Sequence, residues 1–252
     1  MGKGFWLGML IFWGWLVSLV AGLLADTTTW SPPAVLLAVA LRTFLQTGLF
    51  ILGHDAMHRS LVPSRRGLND GLGRLALLLY AGLPYGSCRR NHLHHHRFPG
   101  SWRDPDSRQA SGDGALLWYV RFMGNYLSLN QLVLLLVSWI AVTGILIGLE
   151  PGRAMNMILF WVLPLVLSSV QLFLFGTYLP HRSDGATPGD GPAVRSLGYS
   201  NALSLLTCYH FGYHWEHHAY PTVPWFGLPE LRRLVSLDHG QGNGSRWLRR
   251  AR

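Results

Sequence analysis

The stretch TCYHFGYHWEHHAYPTVPWFGLPEL, residues 207–231, contains His214, His217 and His218 at the spacing i, i+3, i+4. In an α-helix this spacing places the three imidazoles on one face. Three imidazoles on one helical turn are a pattern typical of metal binding. The stretch therefore predicts a short helix that presents metal ligands, and the rest of the chain must supply the scaffold and the remaining ligands.

The segment NHLHHHR, residues 91–97, repeats the same spacing with His92, His95 and His96. Its fourth histidine, His94, is rotated about 200° from His92 around a helix and points away from the other three. We therefore expect His94 to be a surface residue.

Further histidines follow two long apolar segments. His54 and His58, at i, i+4, close the second apolar segment, and His181 closes the fourth. One zinc ion takes about four ligands, so nine imidazoles are too many for one ion and suit two. The candidate ligands of this di-metal site are His54, His58, His92, His95, His96, His181, His214, His217 and His218. We expect no catalytic side chain beyond these ligands.

The composition indicates a membrane protein, because 49% of the residues are hydrophobic and only 13% are charged. A bilayer core of about 30 Å requires about 20 helical residues, and four segments are long and apolar enough. The sequence predicts a single all-α membrane domain, 1–252, with four transmembrane helices in two hairpins and a helical cap that carries the metal site. The spans are predicted at about 4–25, 33–54, 128–149 and 156–180, and the cap at 59–127 and 182–252.

The arginines predict the orientation. Ten lie in 59–128 and eight in 182–252, so the positive-inside rule places both regions, the metal site and both termini in the cytoplasm. This basic face suits anionic lipid headgroups and is compatible with docking of an acidic electron carrier, whereas no nucleic-acid-binding module is recognisable. A disulfide between Cys88 and Cys208 is not expected on this side.

Several neighbours are candidates for holding the ligands in place. His210 precedes His214 by four residues and is either a ligand or a support. Carboxylates that accept the free N–H of a metal-bound imidazole are common, and for Asp104 and Asp106 the alternative is a turn or a helix cap. No role for Arg42, near the middle of its span, follows from the sequence. The candidate supporting residues are His210, Asp55, Asp104, Asp106 and Glu216.

Imidazole suits zinc, copper, iron and nickel alike, so the ligands alone do not choose the metal. The histidine clusters lack the carboxylate spacing of a hydrolytic two-metal site or of a four-helix-bundle di-iron protein. A site at the mouth of a helix bundle is open to membrane-dissolved substrates, whose unactivated C–H bonds require a redox metal and dioxygen. These considerations favour iron.

The order of the histidine motifs (HxxxH, HxxHH, a single His, HxxHH) resembles that of the membrane fatty-acid desaturase and hydroxylase superfamily. Within it, the chain is most similar to the beta-carotene ketolases of bacteria and cyanobacteria, over roughly residues 40–235. The matching stretches are TGLFILGHDAMHRSL (47–61), HLHHHRFPGSWRDPD (92–106), LFGTYLPHR (174–182) and the C-terminal stretch 207–231.

This resemblance implies oxidation of the C4 methylene of a beta-ionone ring to a ketone by two iron ions, with O2 as co-substrate. Two successive hydroxylations of one CH2 give a geminal diol, which loses water. The implied partners are beta-carotene, the lipid bilayer and a ferredoxin-type electron donor, in a bacterial or cyanobacterial cell membrane. The alternatives are a carotenoid, fatty-acid or alkane hydroxylase of the same superfamily and, more remotely, a histidine-rich metal transporter. A transporter would need polar residues along its spans, which are nearly free of them.

Overall fold

A computed structural model of the chain describes residues 2–107, 114–182 and 194–240. Within these ranges the regular elements are helices, which confirms the predicted all-helical class. We number the main helices in chain order: α1 Lys3–Leu24, α2 Pro32–Met57, α3 Arg66–Ala81, α4 Tyr85–Arg97, α5 Ala115–Tyr126, α6 Leu129–Leu149, α7 Pro151–His181, α8 Asn201–Cys208, α9 His214–Ala219 and α10 Leu228–Gly240.

Four of these helices are long and apolar enough to cross a membrane, namely α1 with 22 residues, α2 with 26, α6 with 21 and α7 with 31. Their bounds lie within a few residues of the predicted spans. The shorter helices α3 to α5 and α8 to α10 occupy the two stretches that were predicted to form the cap.

Local sequence signals explain several of the helix ends. Both α2 and α7 begin with proline, which lacks the N–H that a first helical turn leaves unpaired. A capping box between Ser128 and Gln131 starts α6. Gly82 ends α3 in the left-handed region with φ 65°, where its N–H binds the carbonyl of Leu78 at 2.8 Å.

Glycines allow α2 and α3 to approach closely behind the histidines. A Cβ at Gly53, the residue before His54, would lie 2.5 Å from a methyl carbon of Leu77. On α3, a Cβ at Gly73 would lie 2.5 Å from the ring of Tyr85 and 2.6 Å from the Cβ of Ala56. The two helices can pack this closely only because glycine has no side chain. Their contact fixes the end of α2 that carries His54.

Arg42 has a role in the structure that the sequence did not reveal. Its side chain is only 2% exposed, and its guanidinium donates to the carbonyls of Phe160 (3.0 Å) and Trp15 (2.9 Å). It also donates to the hydroxyl of Ser18 at 3.1 Å. Because these partners lie on α1 and α7, Arg42 ties three of the apolar helices together. A buried charge inside a span is tolerated when it is paired in this way.

The long helix α7 is not a regular α-helix. Segments of π-helix occupy Ile158–Val162 and Leu174–Tyr178. A π turn accommodates one extra residue, which rotates the following side chains by about 100° relative to an α-helix. The second segment lies one turn before His181 and thereby determines the direction in which that imidazole projects.

Candidate metal centre

Histidines from α2, α4 and α9 form the larger of two imidazole groups. One ring nitrogen from each of five residues lies within 4.8 Å of the other four. The Nε2 atoms of His58 and His92 are 2.7 Å apart, and that of His217 lies 3.1 Å from His54. The members of this first group are His54, His58, His92, His96 and His217.

The second group joins α4, α7 and α9. The Nε2 atom of His214 is 2.9 Å from that of His181 and 3.1 Å from that of His218, and the Nε2 atom of His218 is 3.1 Å from that of His95. The members of this group are His95, His181, His214 and His218. The two groups together contain the nine residues that the sequence predicted as ligands.

The donor atoms suit transition-metal ions. Burial, reinforced by the neighbouring imidazoles, lowers the pKa of His92, His214 and His217 well below its usual value. These rings are therefore neutral and offer lone pairs. Converging neutral nitrogens at 2.7–3.1 Å from one another are poorly satisfied by hydrogen bonds alone, because a neutral imidazole carries a single N–H. A cation between them satisfies every lone pair, so the donor set fits two metal ions.

Asp104 supports the second group directly. Its Oδ1 lies 2.8 Å from Nδ1 of His95, and the carboxylate also accepts from the backbone N–H groups of Gly100 and Asp106, both at 2.8 Å. Although burial raises the pKa of Asp104, its hydrogen bonds with His95 and with the two backbone N–H groups lower it below its usual value. The anionic Asp104 holds the Nδ1–H of His95 and turns its Nε2 toward the group.

Asp106 stands further back, with Oδ2 3.9 Å from Nδ1 of His95. The phenol of Tyr126 donates to it at 2.7 Å, and the indole of Trp118 donates to its carbonyl at 2.9 Å. Burial raises the pKa of Asp106 to about 6. The anchoring residues Trp118 and Tyr126 lie on α5 and were not predicted, because nothing in their spacing connects them to the histidine motifs.

The remaining candidate carboxylates differ in what they contact. Asp55 lies 3.4 Å from Nδ1 of its neighbour His54, and it accepts the backbone N–H of Trp225 at 3.1 Å. Glu216 faces away from the imidazoles, because it accepts from Ser196 and forms an ion pair with Arg232 at 2.9 Å. Its contacts connect α9 to α10, which differs from the expected support of a ligand.

His210 lies outside both groups and does not share a helix with His214, although the two are four residues apart in the sequence. The helix α9 begins at His214, and Tyr209 and His210 before it have positive φ values of 47° and 66°. The chain therefore turns between the two histidines. The ring of His210 instead stacks against Tyr213, with centroids 5.6 Å apart. His94 is exposed, as predicted, and both cysteines are free thiols.

An apolar cavity of about 250 Å³ opens onto both groups. His54 and His92 of the first group and His95 and His214 of the second lie in its wall. Other lining residues come from α2, α3, α5, α6 and α7, and most are aliphatic or aromatic. Large apolar lining residues include Phe50, Phe122, Leu135, Trp139, Leu165 and Phe211. The site can therefore receive an apolar molecule directly beside the converging nitrogens.

The sequence matches known families over most of its length. The family model described as "Fatty acid desaturase" matches residues 28–137 and 126–247, which include all nine imidazoles. A beta-carotene ketolase from a Paracoccus strain is 41% identical over 229 residues, which cover 90% of this chain and 88% of that protein. One from another Paracoccus strain is 45% identical over 191 residues, covering 75% and 76%.

The chain belongs to the beta-carotene ketolase family. Relatives extend to algae, where the zeaxanthin 4-ketolase of Chlamydomonas reinhardtii is 37% identical over 233 residues. That match covers 91% of this chain and 51% of the algal protein. The chain also belongs to the fatty acid desaturase family, whose model it matches, which confirms the resemblance that the histidine motifs indicated.

Proposed function

We propose that this chain is a beta-carotene ketolase that converts the C4 methylene of a beta-ionone ring to a ketone, with O2 as co-substrate. The single observation that carries the proposal is the position of the nine imidazoles. They form two groups at the wall of an apolar cavity, in a chain of the beta-carotene ketolase family. A hydroxylase of the same superfamily is the alternative that the experiment below tests.

We propose iron for both ions, one held by the group of five imidazoles and the other by the group of four. The donors are all nitrogen, and a redox-active metal is needed to oxidise an unactivated C–H bond. When bound, the two ions supply the oxidising chemistry with O2. The protein's own contribution is to hold the ring in place, present the imidazole nitrogens to the ions and exclude water.

The cavity positions the substrate. Its volume of about 250 Å³ is just below the usual range for small-molecule sites, so it suits one end ring and the adjacent polyene better than a whole carotenoid. The apolar wall provides no hydrogen bond to an unsubstituted ring, and shape must therefore fix its orientation. Holding one CH2 beside the metal centre lowers the entropic cost of reaction at that carbon.

The overall reaction consumes two O2 per ring. Each hydroxylation inserts one oxygen atom into a C–H bond and reduces the other to water with two electrons and two protons. The second hydroxylation of the same carbon gives a geminal diol, and loss of water leaves the ketone. We propose that a ferredoxin-type protein supplies the electrons.

We further propose that the whole of 1–252 is one integral-membrane domain with two transmembrane hairpins. Its cap, metal centre and both termini face the cytoplasm of a bacterial or cyanobacterial cell. The arginine distribution supports this orientation, because the helices of the predicted cap and the loops beside them hold most of the basic residues.

Expression in a bacterium that produces beta-carotene tests the proposal. We expect red-shifted pigments whose mass reflects replacement of two hydrogens by one oxygen at each modified ring. His96→Ala removes a ligand of the first group and should abolish the new pigments. His94→Ala is the matched control, since His94 is exposed on the same helix and belongs to neither imidazole group, and should still give the red-shifted pigments. Products that gain one oxygen and lose no hydrogen would instead identify a hydroxylase.

A further inference from the structure

The outer face of α4 and the loop that follows it form a continuous basic and aromatic surface. On α4, Arg90, His94 and Arg97 are spaced i, i+4, i+7 and share an exposed face. The loop continues this face with aromatic and basic side chains. We call the set the arginine–tryptophan patch, and it consists of Arg90, His94, Arg97, Phe98, Trp102 and Arg103.

The centre of the patch is an exposed indole. Trp102 is 87% exposed, a high value for so large an apolar side chain. The guanidinium of Arg103 lies 4.9 Å from the centroid of the Trp102 ring and 5.5 Å from that of Phe98, and Arg97 lies 5.2 Å from the same Phe98 ring. These cation–π contacts place the charges of Arg97 and Arg103 beside the aromatic rings. Tryptophan and arginine are, with tyrosine, the residues enriched among binding hot spots.

The patch carries positive charge without compensation from its own segment. The acidic residues between positions 85 and 107 are Asp104 and Asp106, and both side chains are buried. Asp104 is engaged with His95. The exposed charges of this segment are therefore all basic, which favours a partner with an acidic surface.

The loop also leads directly to the metal centre. Asp104 is two residues beyond Trp102, and its carboxylate contacts Nδ1 of His95 at 2.8 Å. Hydrogen bonds from Gly100 and Asp106 to the same carboxylate fold the loop tightly around it. A molecule bound at Trp102 is thus connected to a ligand of the second group by two peptide units and one hydrogen bond.

The proposed reaction consumes electrons that must come from outside the metal centre, and these 252 residues lack the cysteines for an iron–sulfur cluster that could relay them. A cysteine-ligated iron–sulfur cluster takes four thiolates, whereas the sequence contains only Cys88 and Cys208, both buried as free thiols. Each hydroxylation consumes two electrons, so a one-electron carrier must bind repeatedly and close to the metal centre.

We propose that the arginine–tryptophan patch is the docking site for a small acidic one-electron carrier protein, and that electrons enter through Asp104 and His95. This inference rests on the proposed function and adds the place where the partner binds. Trp102 inserts into the carrier's surface, and Arg97 and Arg103 pair with its carboxylates.

The test uses the full-length, iron-loaded enzyme in phosphatidylcholine nanodiscs that contain beta-carotene. The donor is a reduced acidic [2Fe–2S] ferredoxin, and ketone formation is measured as a function of its concentration. We expect Trp102→Ala to raise the half-saturating ferredoxin concentration about 10- to 30-fold, as for a hot-spot truncation. The double variant Arg97→Glu, Arg103→Glu should raise it at least about tenfold and weaken its dependence on salt.

Matched variants separate docking from other effects. Arg66→Glu and Arg74→Glu reverse exposed charges on α3, and Trp6→Ala removes a 64% exposed indole from α1; all three should behave as wild type. Arg103→Lys keeps the charge and should restore much of the affinity. Reduced methyl viologen, a small cationic reductant, bypasses docking, so every variant should form ketone with it at the wild-type rate.

Three results would overturn the proposal. One is an unchanged half-saturating concentration in the patch variants, which places docking elsewhere. Another is an equal loss of rate with viologen, which assigns the patch to the metal centre itself. The third, from the same titration repeated in nanodiscs that also contain anionic lipid, is a defect that appears only there, which assigns the patch to the membrane surface. Failure of the proposed function is distinguishable, because the wild-type enzyme would then form no ketone with either reductant.

Discussion

Replacing Asp104 by asparagine tests whether this carboxylate holds a metal ligand. The exchange preserves the shape of the side chain and removes its charge. In the native protein Oδ1 faces His95 and the N–H of Asp106, while Oδ2 faces the N–H of Gly100. An amide can keep an oxygen on only one of these two sides, so its NH2 group must face a donor on the other side.

The expected loss follows from these contacts. Removing an outer carboxylate partner of a metal-bound histidine commonly weakens metal binding about 10- to 100-fold, which corresponds to about 1.4–2.7 kcal/mol. Since His95 belongs to the group of four imidazoles, the loss should affect one of the two metal ions. The other group, which Asp104 does not contact, should keep its affinity.

A chelator titration of the purified protein measures this difference. The iron that each chain retains is measured at increasing chelator concentrations. The wild-type protein should finally lose two equivalents of iron. In Asp104→Asn one equivalent should leave at a 10- to 100-fold lower chelator concentration, while the other leaves as in wild type. Asp106→Asn is the matched control within the same loop. Its carboxylate lies 3.9 Å from His95, so a shift of about threefold or less is expected.

Two outcomes would refute the reasoning. If Asp104→Asn retains both equivalents at wild-type chelator concentrations, the carboxylate does not orient His95. If both equivalents shift together, the two imidazole groups do not bind their ions independently, and the division into five and four is wrong.

Three further predictions concern the scaffold and the cavity. Arg42→Met leaves the carbonyls of Phe160 and Trp15 without their donor. It should lower the free energy of unfolding in detergent by about 2–5 kcal/mol. The control Arg153→Met removes a surface ion pair with Glu150 and should lower it by less than about 1 kcal/mol. Leu135→Trp fills part of the cavity and should reduce ketone formation at least about tenfold at unchanged iron content; Leu136→Trp, on the exposed side of α6, should have little effect. Gly73→Ala forces α3 away from Tyr85 and Ala56 and should destabilise the protein by about 1–3 kcal/mol in thermal unfolding. The control Gly67→Ala has open space around the added methyl group and should be neutral or slightly stabilising.

The sequence predicted the features of this molecule that follow from the 3.6-residue period of an α-helix. Imidazoles at i, i+3, i+4 must share a face of any α-helix, and for this reason the three histidines of α9 were identifiable without a structure. The apolar spans were equally predictable, because length and composition alone determine whether a helix can cross a bilayer.

The features that the sequence did not reveal arise where the backbone departs from that period, or where a contact with a residue distant in sequence decides the role of a side chain. The spacing of His210 and His214 indicated one helix, but positive φ values at Tyr209 and His210 interrupt it. The π-helical turns of α7 shift its register in a way that a 3.6-residue period cannot show. Asp104 and Glu216 looked alike in sequence, each beside a histidine motif, and only their partners, His95 and Arg232, distinguish them.

The two imidazole groups contact the substrate cavity in the same way but differ in how they are connected to the protein surface. Each contributes two histidines to the cavity wall, so an apolar ring entering the cavity meets both. The second group alone is connected through Asp104 to the exposed loop with Trp102, within the ranges that the structure describes. If electrons enter at this loop, they reach the group of four imidazoles before the group of five. Asp104→Asn should therefore slow turnover with ferredoxin more than turnover with viologen once excess iron has restored both equivalents, because only the former depends on the path through the carboxylate.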